Sequence, residues 1–374
     1  MAYQPSLGTR IKRVIDYHRL RLKFLGERML GHEYVPLRRQ ITIEPSGHCN
    51  LACKFCGYAK KEQGRVVMPN EDFARYIDQA TELGFRDFSL TSSSGELFFD
   101  KGAAWKLDYL DDHPLTGSYQ FYTNLILPNQ VMIDKIFNLK KLAWMGFSIY
   151  GHDLESFSRI TDKPEKQYNR LVTNLNRIAD NTGAGQDLFE IHLRTDRSFT
   201  WHPDDGVDDN SSDLVRAMYR AVTEGGVKWC GNWEIYDTWG GLVTPEDVVD
   251  LDVELSDGSH QPKVGACILL FDEPMIFADG GVNACACRGI DRSLHIGDLH
   301  TSSLKEILSS DNTVFRGIID RHQKSDYPET CKDCMVYRSV YRKPRGWPFT
   351  SVAEFFKKHA ARADQGGRHG NHDL

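Results

Sequence analysis

A chain of 374 residues with 40% hydrophobic content and a net charge of −6 can bury one large core and a smaller appended one, which excludes an intrinsically disordered protein. No run approaches the roughly 18 apolar residues of a membrane span, and the N-terminus lacks a signal peptide's apolar core and cleavage site, so a globular cytoplasmic protein is expected. Nine cysteines, an odd number, in a long chain without an export signal indicate metal ligands rather than a disulfide framework.

The first 48 residues carry nine Lys/Arg against four Asp/Glu, a local +5 that leaves the remainder at about −11, and nucleic-acid binding is not expected. Arg10, Lys12, Arg13, Arg19, Arg21, Lys23 and Arg28 interleave with Ile11, Val14, Ile15, Leu20, Leu22, Phe24 and Leu25, the pattern of an amphipathic helix. The expectation is a helix packed over the main domain with its basic face in solvent. Contact with an anionic membrane surface is the less favoured alternative.

From about residue 40, strand and helix signals alternate as in βα units. Strands are expected near 40–44, 86–91, 118–124, 143–150, 187–194 and 227–236. Helices are expected at 69–84, about 129–139, 164–181 and 211–224. Alternation places Asp87, Ser89 and Thr91 on one face, then Gln120, Tyr122 and Asn124, then Trp144, Gly146, Ser148 and Tyr150. Glu190, His192 and Arg194 follow on the fifth strand, and Lys228, Cys230, Asn232, Glu234 and Tyr236 on the sixth. A polar face opposite an apolar one suggests an interior chamber lined by polar groups, whereas a closed barrel fills its interior with aliphatic side chains.

After the first strand come Cys49, Cys53 and Cys56, spaced C-x3-C-x2-C. Structural zinc takes four ligands, commonly in two pairs, and this run supplies three. Three thiolates on a 4Fe–4S cubane leave one iron free for another ligand. The segment from Glu44 to Cys56, with Phe55 just before the third cysteine, resembles the signature of the radical S-adenosylmethionine (radical SAM) superfamily. The resemblance implies an α/β fold, a partial (β/α)6 TIM-like barrel with a small C-terminal auxiliary-cluster domain. It also implies that the free iron chelates SAM, whose reductive cleavage gives a 5′-deoxyadenosyl radical that removes hydrogen from substrate. An electron donor such as flavodoxin or ferredoxin is implied as partner. Ser94, Gly95 and Glu96 resemble the family's Gly-Gly-Glu contact to the SAM amino group, with serine at its first glycine. Ser148 resembles a ribose contact, and Arg194 is a candidate partner of the SAM carboxylate.

A second set, Cys267, Cys285, Cys287, Cys331 and Cys334, surrounds a turn at Asp279-Gly280-Gly281, a strand and a helix near 302–310. It resembles the auxiliary-cluster region of these enzymes, in the Twitch form that holds one extra 4Fe–4S cluster rather than the longer SPASM form. Cys267, Cys285, Cys331 and Cys334 are the expected ligands, with Cys287 able to replace Cys285. A zinc ribbon is the competing assignment. The expected organisation is a basic helical extension at 1–39, the radical SAM core at 40–239, a linker at 240–262, the auxiliary domain at 263–340, and a C-terminal helix and tail at 341–374.

A fully ligated auxiliary cluster can accept an electron from a substrate radical. Loss of hydrogen from a carbinol carbon, of the hydroxyl proton and of one electron turns an alcohol into a carbonyl. Glu190, His192, Glu234 and Tyr236 are candidate proton acceptors. Cys230 is a candidate hydrogen-atom donor for epimerisation, although it lies toward the start of its strand. The resemblance implies a carbohydrate-like or aminocyclitol small molecule oxidised at a secondary alcohol. A sugar epimerase and a peptide or protein maturase are the alternative enzymes, and a metal-binding module is the non-catalytic one. The stretch before the barrel is short for an added peptide-recognition domain, and membrane contact is not expected.

Overall fold

The computed structural model describes residues 6–37, 40–62, 64–91, 95–181, 188–256, 258, 260–286, 289–343 and 349–357. Six strands form in the expected places: β1 (Gln40–Ile43), β2 (Asp87–Ser89), β3 (Ser118–Thr123), β4 (Leu142–Tyr150), β5 (Phe189–Arg194) and β6 (Lys228–Trp233). They pair in chain order and all in parallel. Parallel neighbours need crossovers, and helices supply them. An N-terminal helix α1 (Leu7–Met29) precedes the sheet, and α2 (Asn70–Glu82), α3 (Ala103–Asp112), α4 (Gln130–Ile136), α5 (Leu154–Thr161), α6 (Glu165–Asp180) and α7 (Asp213–Thr223) are its connections. Helices α3 and α5 lie outside the sequence expectation.

The apolar strand face is the one that packs against the helices. Met145, Phe147 and Ile149 of β4 and Ile191 and Leu193 of β5 are fully buried, facing a shell that includes Leu171, Leu175, Leu214 and Met218. Register then sets the opposite face in rows: Ser148 beside His192, Tyr150 beside Arg194. This is the α/β, partial (β/α)6 arrangement.

Three further strands extend the same sheet beyond β1. Strand β7 (Met275–Ile276) runs parallel to β1, and the hairpin strands β8 (Gly281–Asn283) and β9 (His295–Asp298) follow it antiparallel. The amides of Thr42 and Glu44 donate to the carbonyls of Pro274 and Ile276 at 3.0 and 2.9 Å. The auxiliary region therefore continues the barrel sheet. Of the residues of α1 only Phe24 is buried, and the segment that follows the helix donates from Tyr34 N to Val340 O at 2.6 Å.

Candidate active site

The cysteine loop hangs from the C-terminal end of β1, where βα-loops of such barrels gather reactive groups. Its backbone is held by the end of α5: the amides of Ala52 and Lys54 donate to the carbonyls of Thr161 and Ile160 at 3.2 and 3.0 Å. Those carbonyls lack partners within the last turn of a helix, so the loop caps α5 while α5 shapes the loop. Beneath it Lys61 donates to both oxygens of Glu44, at 3.1 and 3.2 Å, with both side chains fully buried. Gly57, directly after Cys56, admits the auxiliary region: a Cβ there would stand 2.5 Å from Ile290 Cδ1 and 3.1 Å from the Trp239 ring.

Cys49, Cys53 and Cys56 line one cavity of about 380 Å³ with Phe55, Gly95, Glu96, Asn124, Ser148 and Arg194. Burial, with the charge of Glu96 and Cys56, pushes the Cys49 thiol up to about 12. Burial and the neighbouring cysteines likewise push Cys53 up. Three thiols buried together become thiolates when a multivalent cationic group binds them. Amides already point at the sulfurs, Leu51 N to Cys49 Sγ at 3.4 Å and Tyr58 N to Cys56 Sγ at 3.5 Å. Among the described residues, the set with three ligand atoms within 4.8 Å of one another is Glu190, His192 and Cys230. Cys49, Cys53 and Cys56 do not form such a set, so they are not gathered around one ion as Zn–S bonds of about 2.3 Å require. The donor set fits a 4Fe–4S cluster.

Residues 43–183 of the chain form a radical SAM domain. The family described as "Radical SAM superfamily" matches residues 43–183, and the SPASM family, described as "Iron-sulfur cluster-binding domain", matches residues 267–335. A 4Fe–4S cluster, SAM and auxiliary iron–sulfur ligation follow for this radical SAM enzyme. No curated protein sequence matches it significantly. Among solved structures, Streptococcus suis SuiB bound to precursor peptide SuiA is 14% identical, with 84% of this chain and 74% of that one covered and a TM-score of 0.52. At that identity the likeness is one of fold. BtrN in complex with AdoMet and 2-DOIA is 14% identical, covering 80% and 93% with a TM-score of 0.49, and native anSMEcpe with bound AdoMet is 13% identical, covering 87% and 96% with a TM-score of 0.49.

Within the radical SAM cavity, Glu96 is buried and accepts from Thr123 Oγ1 at 2.7 Å, Asn124 N at 2.8 Å and Phe98 N at 3.3 Å. A carboxylate has about four acceptor sites, so one remains for an ammonium group. Burial raises its pKa to about 7 against these hydrogen bonds. Arg194 Nε donates to Ser148 Oγ at 3.2 Å, and its guanidinium lies over Trp233 at 5.4 Å. Phe55 stacks on Tyr236 with centroids 3.7 Å apart, and its carbonyl accepts from Trp239 Nε1 at 3.1 Å. Trp239 adopts a φ of 54°, a conformation costly for a bulky residue, in the turn that aims its indole at the loop. Ser94 and Cys287 lie outside the described residues.

The sixth strand departs from the expected alternation. Ile191 pairs with Trp229 and His192 with Gly231, so Cys230 is the extra residue of a bulge, which Gly231 permits with a φ of 133°. Beyond it the faces exchange: Trp233 pairs with Arg194 and lines the cavity, while Asn232 turns to donate to Trp201 O at 2.9 Å. Glu234 is not in the lining, which corrects its expected direction. Tyr236 is in the lining, but its hydroxyl donates to the carbonyls of Thr195 and Trp233 at 2.8 and 2.5 Å. Glu190, His192 and Cys230 lie beside one another yet also outside the lining, below a layer of rings in which Tyr122 and Trp144 approach His192 to 5.1 and 5.9 Å. Burial and then Arg194 lower the His192 pKa, and burial with Glu190 raises that of Cys230, leaving a neutral imidazole and a protonated thiol.

Sequence reasoning put Trp233 and Ile235 outside the chamber because it carried the alternation straight through the bulge, and it missed Asp237 and Trp239 in the lining because the expected strand ended at 236. Asn124 was placed on the inner face without a role. It donates to Asn50 Oδ1 at 2.9 Å and approaches Cys49 Sγ at 3.9 Å.

Cys267, Cys331 and Cys334 are buried near one another, and burial with the charge of Cys267 and Cys334 pushes the Cys331 thiol up. Arg338 N donates to Cys267 Sγ at 3.4 Å. Cys285 is buried just after β8. Met335 and Val336, immediately after Cys334, line the same cavity as Cys49, Cys53 and Cys56.

Proposed function

We propose that this radical SAM enzyme oxidises a secondary alcohol of a carbohydrate-like small molecule. The observation that carries the reading is the shared wall: the segment after Cys334 borders the cavity that holds the SAM-cluster cysteines. A substrate in that cavity would lie against the auxiliary region, as an electron-removing reaction requires. When bound, the SAM cluster and SAM supply a radical that abstracts hydrogen, and the auxiliary cluster, one in number and held by Cys267, Cys285, Cys331 and Cys334, supplies an electron acceptor.

The chain's own residues do the rest. Glu96 would accept from the SAM ammonium, Ser148 would contact the ribose and Arg194 would pair with the SAM carboxylate, while Phe55 and Tyr236 stack at that end of the cavity. Asp237, which lines the cavity with its Oδ1 held by Trp239 N at 2.6 Å, replaces Glu190, His192 and Glu234 as the favoured acceptor of the hydroxyl proton. Aromatic walls from Tyr122, Tyr150 and Trp233 suit a compact ligand with one apolar face and a few polar groups.

The test is anaerobic reconstitution with SAM and a reductant in deuterated water, with pools of sugars and of peptides, and quantification of 5′-deoxyadenosine. Stimulation by sugars and a product two mass units lighter supports oxidation. One deuterium gained at carbon identifies an epimerase instead, and stimulation by peptides alone identifies a maturase.

A further inference from the structure

Helix α1 has an apolar stripe that the protein leaves bare. Leu7, Ile11, Val14, Leu22, Leu25 and Met29 recur at intervals of three, four and, across His18, eight residues, so they share one side of a helix. They are 74%, 52%, 56%, 70%, 36% and 88% exposed, whereas Phe24, pointing elsewhere, is the one buried side chain of the helix. At 3.6 residues per turn the cations fall in two columns bordering the stripe, Arg10, Arg21 and Arg28 on one side and Lys12, Arg19 and Lys23 on the other. The helix's acidic residues, Asp16 and Glu27, lie on the far side from the stripe.

Bare apolar surface of this extent needs an occupant. With seven basic residues against two acidic, α1 carries +5 in a chain of net −6, so pairing it with the same helix of a second copy would bring two strongly positive helices together. An anionic surface turns the same charge into attraction. Cations flanking an apolar stripe are placed to bury their stems among acyl chains and leave their heads at the phosphates. No described helix is long and apolar enough to cross a membrane, so α1 would lie in the plane of the interface.

We infer that α1 docks this enzyme peripherally on an anionic phospholipid bilayer, with the Leu7–Met29 stripe inserted and the two cationic columns at the headgroups. This reverses the expectation that membrane contact is absent, and it does not depend on which substrate the active site takes.

The experiment is flotation of the full-length holoprotein with vesicles. With roughly 30% phosphatidylglycerol in phosphatidylcholine, the protein is expected to float at least about tenfold more than with phosphatidylcholine alone, and the difference should collapse in high salt. Ile11→Glu with Leu22→Glu is expected to abolish flotation while SAM cleavage is retained. Replacing Arg19, Arg21 and Lys23 by Gln is expected to weaken flotation only on the anionic vesicles. Equal flotation on both lipids, or none on either, would overturn the inference. So would a concentration-dependent dimer in sedimentation that Ile11→Glu dissolves without any lipid binding, an outcome that assigns the stripe to a second copy.

Discussion

The two cysteine sets reach buried positions by opposite routes. Cys49, Cys53 and Cys56 come from one loop pinned by β1, α5 and the Glu44–Lys61 pair, whereas Cys267 and the Cys331/Cys334 pair lie more than 60 residues apart in the chain and meet through the fold. A local motif carries its chemistry in its spacing. A dispersed one depends on every element that brings its parts together.

The sharpest way to break this comparison is to remove one ligand from each set. Cys53→Ala should reduce 5′-deoxyadenosine formation to background, with loss of the corresponding iron. Cys331→Ala should lose iron as well but keep SAM cleavage, and lose product formation. Equal loss of SAM cleavage in both would show that the sets are not separable.

Next in size is the support beneath the loop. Lys61→Met leaves Glu44 buried without its cation and should cost about 3–5 kcal/mol of stability, read as a lowered unfolding midpoint. An unchanged midpoint would mean that the loop does not rely on the pair.

A smaller effect tests Glu96. Its pKa of about 7 means that the carboxylate is lost as pH falls through 7, so SAM binding should weaken by up to about tenfold from pH 8 to pH 6, and Glu96→Gln should flatten that dependence. Stability runs the other way. The raised pKa makes Glu96's contribution fully present below about 4.5, and it is lost as pH rises through 7. Calorimetric titration of SAM at the two pH values checks the sign.

The smallest change is expected at Cys230. Because it lies outside the cavity lining, Cys230→Ala should alter the rate of substrate oxidation by less than about twofold. A large loss, or loss of solvent-deuterium incorporation, would place its thiol against the substrate.

The same contrast explains what the sequence made legible. The βα rhythm, the first cysteine set and the inner faces of β4 and β5 all follow from local periodicity, which a strand or helix obeys residue by residue. Helix α5 was hidden by its length of eight residues, and α3 by weak amphipathicity. The bulge at Cys230 was invisible because one extra residue leaves composition unchanged while exchanging the faces of the side chains that follow it, which is why Glu234 was expected in the chamber and Trp233 was not. The exposure of α1 was equally hidden, since an amphipathic pattern says that a face wants cover without saying what covers it.

The pairing of β7 with β1 bears on how such an enzyme can be recombined. Residues 275–276 are stitched to the strand that launches the cysteine loop, and Ala278 N reaches Glu44 Oε1 at 3.5 Å beneath it. A chimera that exchanged the C-terminal region for a relative's would replace one edge of the strand that presents Cys49. New substrate ranges are thus more readily grafted through the loops that rim the cavity than by swapping the two halves.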